Sequence, residues 1–450
     1  MTFIRSVFFT VFLLFVSSPL YAQTEDPDDP TILSSEAPTL RFENIGLEDG
    51  MAQFTAENVI QDSLGYIWIA TQGGLHRYNG YEFEVYTANA FDTTSISSNG
   101  SFGMEEASNG DMWVTTTGTG LNRFNRENQT FTQFTHDPSD STTVASNNLS
   151  FLHEASNGDL WVSTQTNGVS RMPADSSGYF IRYQHDPNDS NSISTNFVSI
   201  ITEDIYGNIW VASRRGINRI DPSTNEITRY LEPAGDSEGN SMIVRSQYHP
   251  PETPEIVWLV TGEGLVKLNS ETGDYTRYLP DPEKIDAPRP LELMDVAADP
   301  QTPEILWAVG LDTGLVRFDT RTEEYTFYRN DPGDPNSIAN NTAVNITADR
   351  SGKFWIGHLT DGVSQFTPSS ANFFHLRHNP GDPQSVGPGG VWALYADQDQ
   401  TLWAGTGYST EFYLNRIDLK NGKVTRYKHE PGNQQSITNF QAHAITEDSR

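Results

Sequence analysis

An all-β fold, a β-propeller built from four-stranded blades, is what this sequence predicts, and three observations carry the prediction. Tryptophans recur as Trp68, Trp113, Trp161, Trp210, Trp258, Trp307, Trp355 and Trp403, with successive gaps of 45, 48, 49, 48, 49, 48 and 48 residues. Each period contains four short β-prone runs separated by turn residues,. A glycine stands three positions before the tryptophan in five periods, as Gly65, Gly110, Gly158, Gly207 and Gly352. A strand-built period in the forties marks a unit that buries its faces only when copies stack around an axis.

The first period shows the internal order. Strand a runs from Asn58 to Asp62, a turn covers Ser63 to Tyr66, and strand b is Ile67 to Thr71. Gln72-Gly73-Gly74 leads into strand c, Leu75 to Asn79, and Gly80 leads into strand d, Tyr81 to Tyr86. The glycine in the a–b turn is expected at positive φ, where a side chain is costly. Repeats five, six and eight carry Glu255, Glu304 and Gln400 there, and the Pro250–Pro254 and Pro300–Pro303 segments predict a differently shaped turn. The eight periodic tryptophans are read as wedges between adjacent sheets. Pairs such as Gly168-Val169, Gly216-Ile217 and Gly362-Val363 are read as the turn and core residue that open strand c. Trp392 lies off the period, in strand a of repeat eight.

The N-terminus has a single positive charge at Arg5, an apolar run from Val7 to Val16, and Ser17-Ser18-Pro19-Leu20-Tyr21-Ala22 before Gln23. That pattern is a cleavable export signal over residues 1–22, with an apolar run short for a membrane span. Residues 23–37, acidic and proline-rich, read as a disordered leader. The segment Thr39–Ile45 reads as an isolated strand d that must complete a blade. Closing on repeat seven gives a seven-bladed propeller over residues 38–367, with 368–450 as the first blade of a second, truncated propeller. The alternative closes on repeat eight and makes one eight-bladed ring. The final residues, Ala442 to Arg450, match strand a of repeat four and stop before the next glycine and tryptophan, so the chain reads as a fragment.

With 59 acidic against 28 basic residues the formal charge is −31, which opposes binding to nucleic acid or adsorption to anionic membranes,. There is no cysteine, so an exported chain of this kind stands on core packing instead of disulfides,. Its acidity fits a soluble, saline-exposed surface.

Together the segments His185-Asp186-Pro187-Asn188-Asp189-Ser190-Asn191-Ser192-Ile193, Ile201-Thr202-Glu203-Asp204, Gly207-Asn208-Ile209-Trp210 and Gly216-Ile217-Asn218-Arg219 resemble the two-component regulator propeller repeat. The connector recurs at Asp331-Pro332-Gly333-Asp334-Pro335-Asn336-Ser337-Ile338, and Arg41 to Gly50 resembles the opening of the first propeller in that family. The resemblance implies a periplasmic sensor region. Such proteins carry two seven-bladed propellers, a small β-sandwich, a transmembrane helix and a cytoplasmic histidine kinase, hybrid kinase or diguanylate cyclase. It also implies a homodimer and membrane attachment only through a downstream segment.

No nucleophile–base pair or metal-ligand spacing stands out, and no cofactor is expected. His136, His185, His378 and His429 occupy equivalent places in the d–a connectors and read as part of the repeat. The connector aspartates and asparagines, such as Asp186 to Asn191, read as caps for backbone donors and not as a calcium loop. By propeller geometry the b–c loops share a face with the d–a connectors and are expected to converge on the central opening. There the repeats differ: Arg214 and Arg215 in repeat four, Glu263 in repeat five, Asp312 in repeat six, His358 with Asp361 in repeat seven, and Tyr408 in repeat eight. Variation on a constant frame marks these as ligand-binding candidates. The adjacent arginines suit a carboxylate, and the expected ligand is a small molecule, a carbohydrate or sugar acid. The competing readings are an exported lyase on a propeller resembling streptogramin lyase, using His358, Asp361 and Glu263, and an adhesive or structural module.

Overall fold

In the computed structural model the described residues are 40–446 apart from 177, 232–242, 282–290, 369–375, 377, 379–384, 398–400, 409–410, 419–422 and 439–442. The expected export signal and leader lie outside the described residues. The chain divides into one unit spanning Pro38–Phe374 and a second containing His375–Arg450.

Seven of the eight four-stranded antiparallel sheets belong to the first unit, each taking its strands in the order a, b, c, d. The innermost strands are Asn58–Gln61, Ser101–Glu106, Leu149–Glu154, Val198–Glu203, Val244–Tyr248, Leu293–Ala298 and Ala343–Ala348. Each touches the next, and the last touches the first, so the circuit is closed. Blade seven takes its outermost strand from the other end of the chain. Glu43–Ile45 pairs antiparallel with strand c of that blade, in the register Glu43↔Gln365, Asn44↔Ser364 and Ile45↔Val363. This pairing removes two exposed sheet edges at once.

Backbone fit at the seam matches that inside the other blades. At Gly216 a Cβ would lie 2.2 Å from the Tyr230 carbonyl oxygen of its own strand d, and at Gly362, with φ +75°, it would lie 2.2 Å from the Ile45 oxygen. The N-terminal strand therefore occupies the strand d position, and glycine is required opposite it. Ser364 Oγ donates to Asn44 Oδ1 at 2.7 Å and Gln365 Nε2 donates to Glu43 at 2.8 Å, fixing the register with side chains.

In the first unit each periodic tryptophan packs between sheets. Trp68 is fully buried in a cluster with Met104, Met112, Val114 and Phe124 of blade two. Its indole nitrogen donates to Asp62 Oδ2 at 2.8 Å, while Oδ1 accepts the turn N–H groups of Leu64 and Tyr66. One carboxylate thus shapes the a–b turn and satisfies the buried donor. The same indole bond recurs at Trp210 with Asp204, Trp307 with Asp299 and Trp355 with Asp349. Blade three has Ala155 at that place, and the Trp161 indole nitrogen is buried without a partner. The a–b turn glycines all lie at positive φ, between 82° and 94°.

Polar links tie the inner strands of successive blades together. Ser63 and Ser156 at their a–b turns donate to Glu106 and Glu203 at the ends of the following strands a. Arg350 of blade seven donates to the Asp62 and Ser63 carbonyls of blade one. Asp295 of blade six is enclosed most completely. Its Oδ1 accepts Ser246 Oγ of blade five at 2.6 Å and Val296 N at 2.9 Å, and its Oδ2 accepts Asn345 Nδ2 and Ile346 N of blade seven, both at 2.9 Å. Asn345 Oδ1 in turn accepts Val59 N of blade one at 2.9 Å. Burial pushes the Asp295 carboxyl upward against the pull of these four donors,.

The second unit contains one four-stranded sheet, Gly390–Ala396, Thr401–Gly407, Phe412–Asp418 and Val424–Lys428. Trp403 repeats the indole bond, to Asp397 at 3.1 Å. Its small core is Val386, Ala404, Ile417 and Val424.

Three outcomes follow from this packing. Trp210→Ala is expected to destabilise the ring by about 3–5 kcal/mol through lost burial and a cavity. Trp210→Phe removes the indole donor from the Asp204 carboxylate, which keeps the donors of Tyr206 and Asn208, whereas Trp161→Phe removes an indole donor that has no partner. The unfolding free energy from urea titration should fall by at least about 1 kcal/mol more for Trp210→Phe than for Trp161→Phe. Asp295→Asn places an amide nitrogen against two donors and should cost about 2–4 kcal/mol, read by the same titration.

Candidate functional site

The d–a connectors and b–c loops form one face of the ring. Thr117 N donates to the Gly100 carbonyl, Gln165 N to Asn148, Arg214 N to Phe197 and Leu311 N to Glu292, joining each loop to the connector of its own blade. The connectors are rigidified internally. His136 Nδ1 donates to the Val144 carbonyl at 2.8 Å and His185 Nδ1 to Ile193 at 2.7 Å, and His378 and His429 repeat the bond with Val386 and Ile437. Asn147 and Asn196 side chains accept the backbone N–H of His136 and His185. Asp186 and Asp189 accept the N–H groups of Asn188 and Asn191, which is the capping role expected of them,.

A cleft of about 690 Å³ opens on this face over the seam. The 3₁₀ turn Leu47–Asp49 forms one wall, the connector around Asp331 and Pro335 the other, and Phe54, Thr360 and Asp361 its inner margin. Its size is that of a small-molecule site. Leu47 and Phe54 are 54% and 44% exposed, and carboxylates of Glu48, Asp49, Asp331 and Asp361 surround them. Three bonds hold the walls: Phe42 N to the Asn336 carbonyl at 2.8 Å, Asn44 Nδ2 to the Ser337 carbonyl at 3.1 Å, and Gly362 N to the Phe54 carbonyl at 2.7 Å.

At the ring axis a second feature repeats. In blades two to seven the register of strand a shifts just after its first residue, a β-bulge in every case. Bulges re-aim side chains. The bulges of blades two to four each hold a small residue, Gly103, Ser150 and Ser199, beside a large one, Phe102, Phe151 and Ile200, and those of blades five to seven hold Arg245, Met294 and Val344; these six larger side chains are each partly exposed although their strands are innermost.

The sequence-derived candidates are not brought into one cluster. Asp361, at φ 74°, lines the seam cleft and accepts Asn340 Nδ2 at 2.8 Å. Arg214 lies on the surface with its guanidinium 4.9 Å from the centre of the Phe197 ring, and Arg215 N donates to Ser213 Oγ. Glu263 and Asp312 do not face the opening: they pair with Arg277 and Arg329, which lie on and beside the outermost strands of their blades. Loops joining the second and third strands sit over the middle of a blade, so their acids reach outward as easily as inward. Tyr408 belongs to the second unit and is 60% exposed there.

His358 is the clearest correction. As the last residue of strand b in blade seven it is fully buried and presents nothing to the loop face. Its Nε2 donates to Ser364 Oγ at 2.9 Å, the hydroxyl that itself donates to Asn44 across the seam. Burial pushes the imidazole down to about 4, only partly offset by the nearby Asp361 carboxylate. His358, Asp361 and Glu263 therefore do not assemble as acid, base and ligand. Among the described residues no group of three or more histidines and carboxylates is placed to hold a metal ion. The sequence reading also passed over Arg245, whose signal was a lone cation on strand a where the neighbouring blades carry the uncharged Ser199, Ile200 and Met294.

No family model matches the chain. A stretch of 49 residues is 39% identical to a protein named histidine kinase P4 from Formosa agariphila, covering 11% of this chain and 4% of that protein. Among solved structures, the extracellular domain of a protein described as a hybrid two component system of B. thetaiotaomicron is similar over 91% of this chain and 51% of its own, with a TM-score of 0.69 and 21% identity. Virginiamycin B lyase from Staphylococcus aureus is similar over 73% of this chain and 99% of its own, with a TM-score of 0.52 and 15% identity. At these identities the likenesses show the propeller fold, and the chain spans about half the length of the receptor domain.

A pH dependence follows from the buried imidazole. With a folded value of about 4 below its ordinary value of 6.5, His358 binds its proton more readily in the unfolded chain,. Its contribution is intact above about pH 6.5 and declines as pH falls toward 4, by up to about 3 kcal/mol,. Wild type should therefore lose more stability than His358→Gln between pH 7 and 4.5, measured by urea midpoints. Equal losses would show that another group governs acid unfolding.

Proposed function

We propose that this chain is the extracytoplasmic sensing region of a transmembrane signalling protein, and that its ligand engages the connector face at the seam cleft. The observation that carries the reading is the likeness in fold, over 91% of the chain, to the extracellular domain of a hybrid two component system. The local identity to a histidine kinase and the export signal read from the sequence support the same class. A periplasmic location, a homodimeric receptor and an output domain downstream belong to this proposal.

The cleft's chemistry narrows the ligand. Carboxylates accept hydroxyl hydrogen bonds, and Phe54 with Leu47 offers an apolar surface on which a pyranose ring can stack,. So many acids disfavour an anionic ligand here, which points to a neutral carbohydrate for this cleft. Binding would bridge the N-terminal strand, the blade-seven connector and the Thr360–Asp361 loop, three elements that meet only when the ring is closed. A ligand that prefers the closed seam shifts the population toward it.

The test is titration of a neutral oligosaccharide panel against wild type, Phe54→Ala and Asp361→Asn. Asparagine tolerates the positive φ at 361, so folding is retained,. Binding of a panel member should weaken at least about tenfold in both variants with unchanged melting. Unchanged affinity in both would move the ligand off the seam.

A further inference from the structure

The collar at the ring axis is a separate site with different chemistry. Of the residues on the seven innermost strands, Arg245 is the only arginine or lysine, and it falls at a bulge; the bulges of the other blades hold Phe102 and Gly103, Ser150 and Phe151, Ser199 and Ile200, Met294, and Val344, uncharged in every case. The largest side chains at these bulges are apolar, and Met294 of the next blade touches Arg245 itself. Phe102 and Phe151 meet edge to face with ring centres 5.3 Å apart, and Arg245 Nη1 lies 3.1 Å from Met294 Sδ.

The guanidinium is poorly satisfied. Its only hydrogen bond among the described residues is to that thioether, a weak acceptor, and its buried Nε has no partner,. Nor do nearby carboxylates serve it. Glu263 is engaged by Arg277, and Asp295, beside Met294, already accepts four donors. A Cβ placed on Gly262 would lie 3.9 Å from Arg245 Nη2, so the group reaches the level of the b–c loop at the connector-face mouth. In a chain of charge −31, a cation left without a carboxylate at the end of an apolar collar calls for one from outside. The planar guanidinium matches a carboxylate with two parallel N–H···O bonds.

We propose that this collar binds a small carboxylate whose body is apolar or a sugar ring, with Arg245 holding the carboxylate and Phe102, Phe151, Ile200 and Met294 the body. The proposal goes beyond the seam cleft, which is acidic and lies over blade seven.

Calorimetric titration decides it, with benzoate against benzyl alcohol and glucuronate against glucose, which separate an apolar body from a sugar body. At least one carboxylate should bind at about 1 mM or tighter and its neutral partner at least about tenfold more weakly. Arg245→Met should erase the difference and Arg245→Lys retain part of it, while Phe54→Ala leaves it intact. Met294→Glu is the control should Arg245→Met fail to fold: its carboxylate pairs with Arg245 from within and should abolish binding in a stably folded protein. The assignment is overturned if neither carboxylate binds, if the neutral partners bind equally well, or if Arg245→Met or Met294→Glu folds and binds as wild type. None of these outcomes depends on the neutral-oligosaccharide result at the seam.

Discussion

Everything in the first unit depends on a three-residue strand. Wedge-shaped sheets arranged in a circle bury their faces only when the last meets the first, and here the meeting is made by Glu43–Ile45 lying along strand c of blade seven. Without it, blade seven would present an open edge and the seam cleft would lose one wall. The strand's few backbone bonds are reinforced by Ser364 and Gln365 and sit over the buried His358. Closure is therefore cooperative with the interior of blade seven.

Around the ring, stability rests on two repeated devices of different kinds. The tryptophan wedge supplies apolar burial, and the aspartate six residues before it in blades one, four and seven removes the cost of hiding the indole N–H,. The inner strands add a polar belt, in which Asp295 spans blades five to seven and hands on to blade one through Asn345. Apolar wedges are tolerant of sliding, whereas a carboxylate with four donors is not. The belt thus sets the angular position of blades whose faces would otherwise pack in several ways.

Periodicity made the fold legible because it is a local property: Trp spacing, turn glycines and strand lengths can all be read within a single repeat. The Gly65, Gly110, Gly158, Gly207 and Gly352 turns adopt the expected positive φ for that reason. Radial direction is not local. Whether Glu263 points to the axis or to Arg277 depends on where strand d lies, and that is set by the ring. His358 reads as a loop residue from its place between Trp355 and Asp361, whereas it ends strand b, fully buried, and its partner Ser364 is in turn bonded to Asn44 of the N-terminal strand more than three hundred residues away. Arg245 escaped notice because a bulge changes which way a strand residue faces without changing the alternation of the sequence around it.

The same seam has a temporal side. Asn44 and Ser364 are 320 residues apart, so the first strand of this unit to emerge during synthesis is the one whose partner arrives last within the unit. Until then blade seven's edge and the short N-terminal strand are both unpaired, and the loop entropy of bringing them together grows only slowly with the length between them. Ring closure is accordingly a late event in folding, and in that interval a neighbouring chain's N-terminal strand is chemically indistinguishable from the chain's own. Local concentration during synthesis, more than any difference in contacts, then decides whether a closed monomer or a strand-exchanged pair is formed.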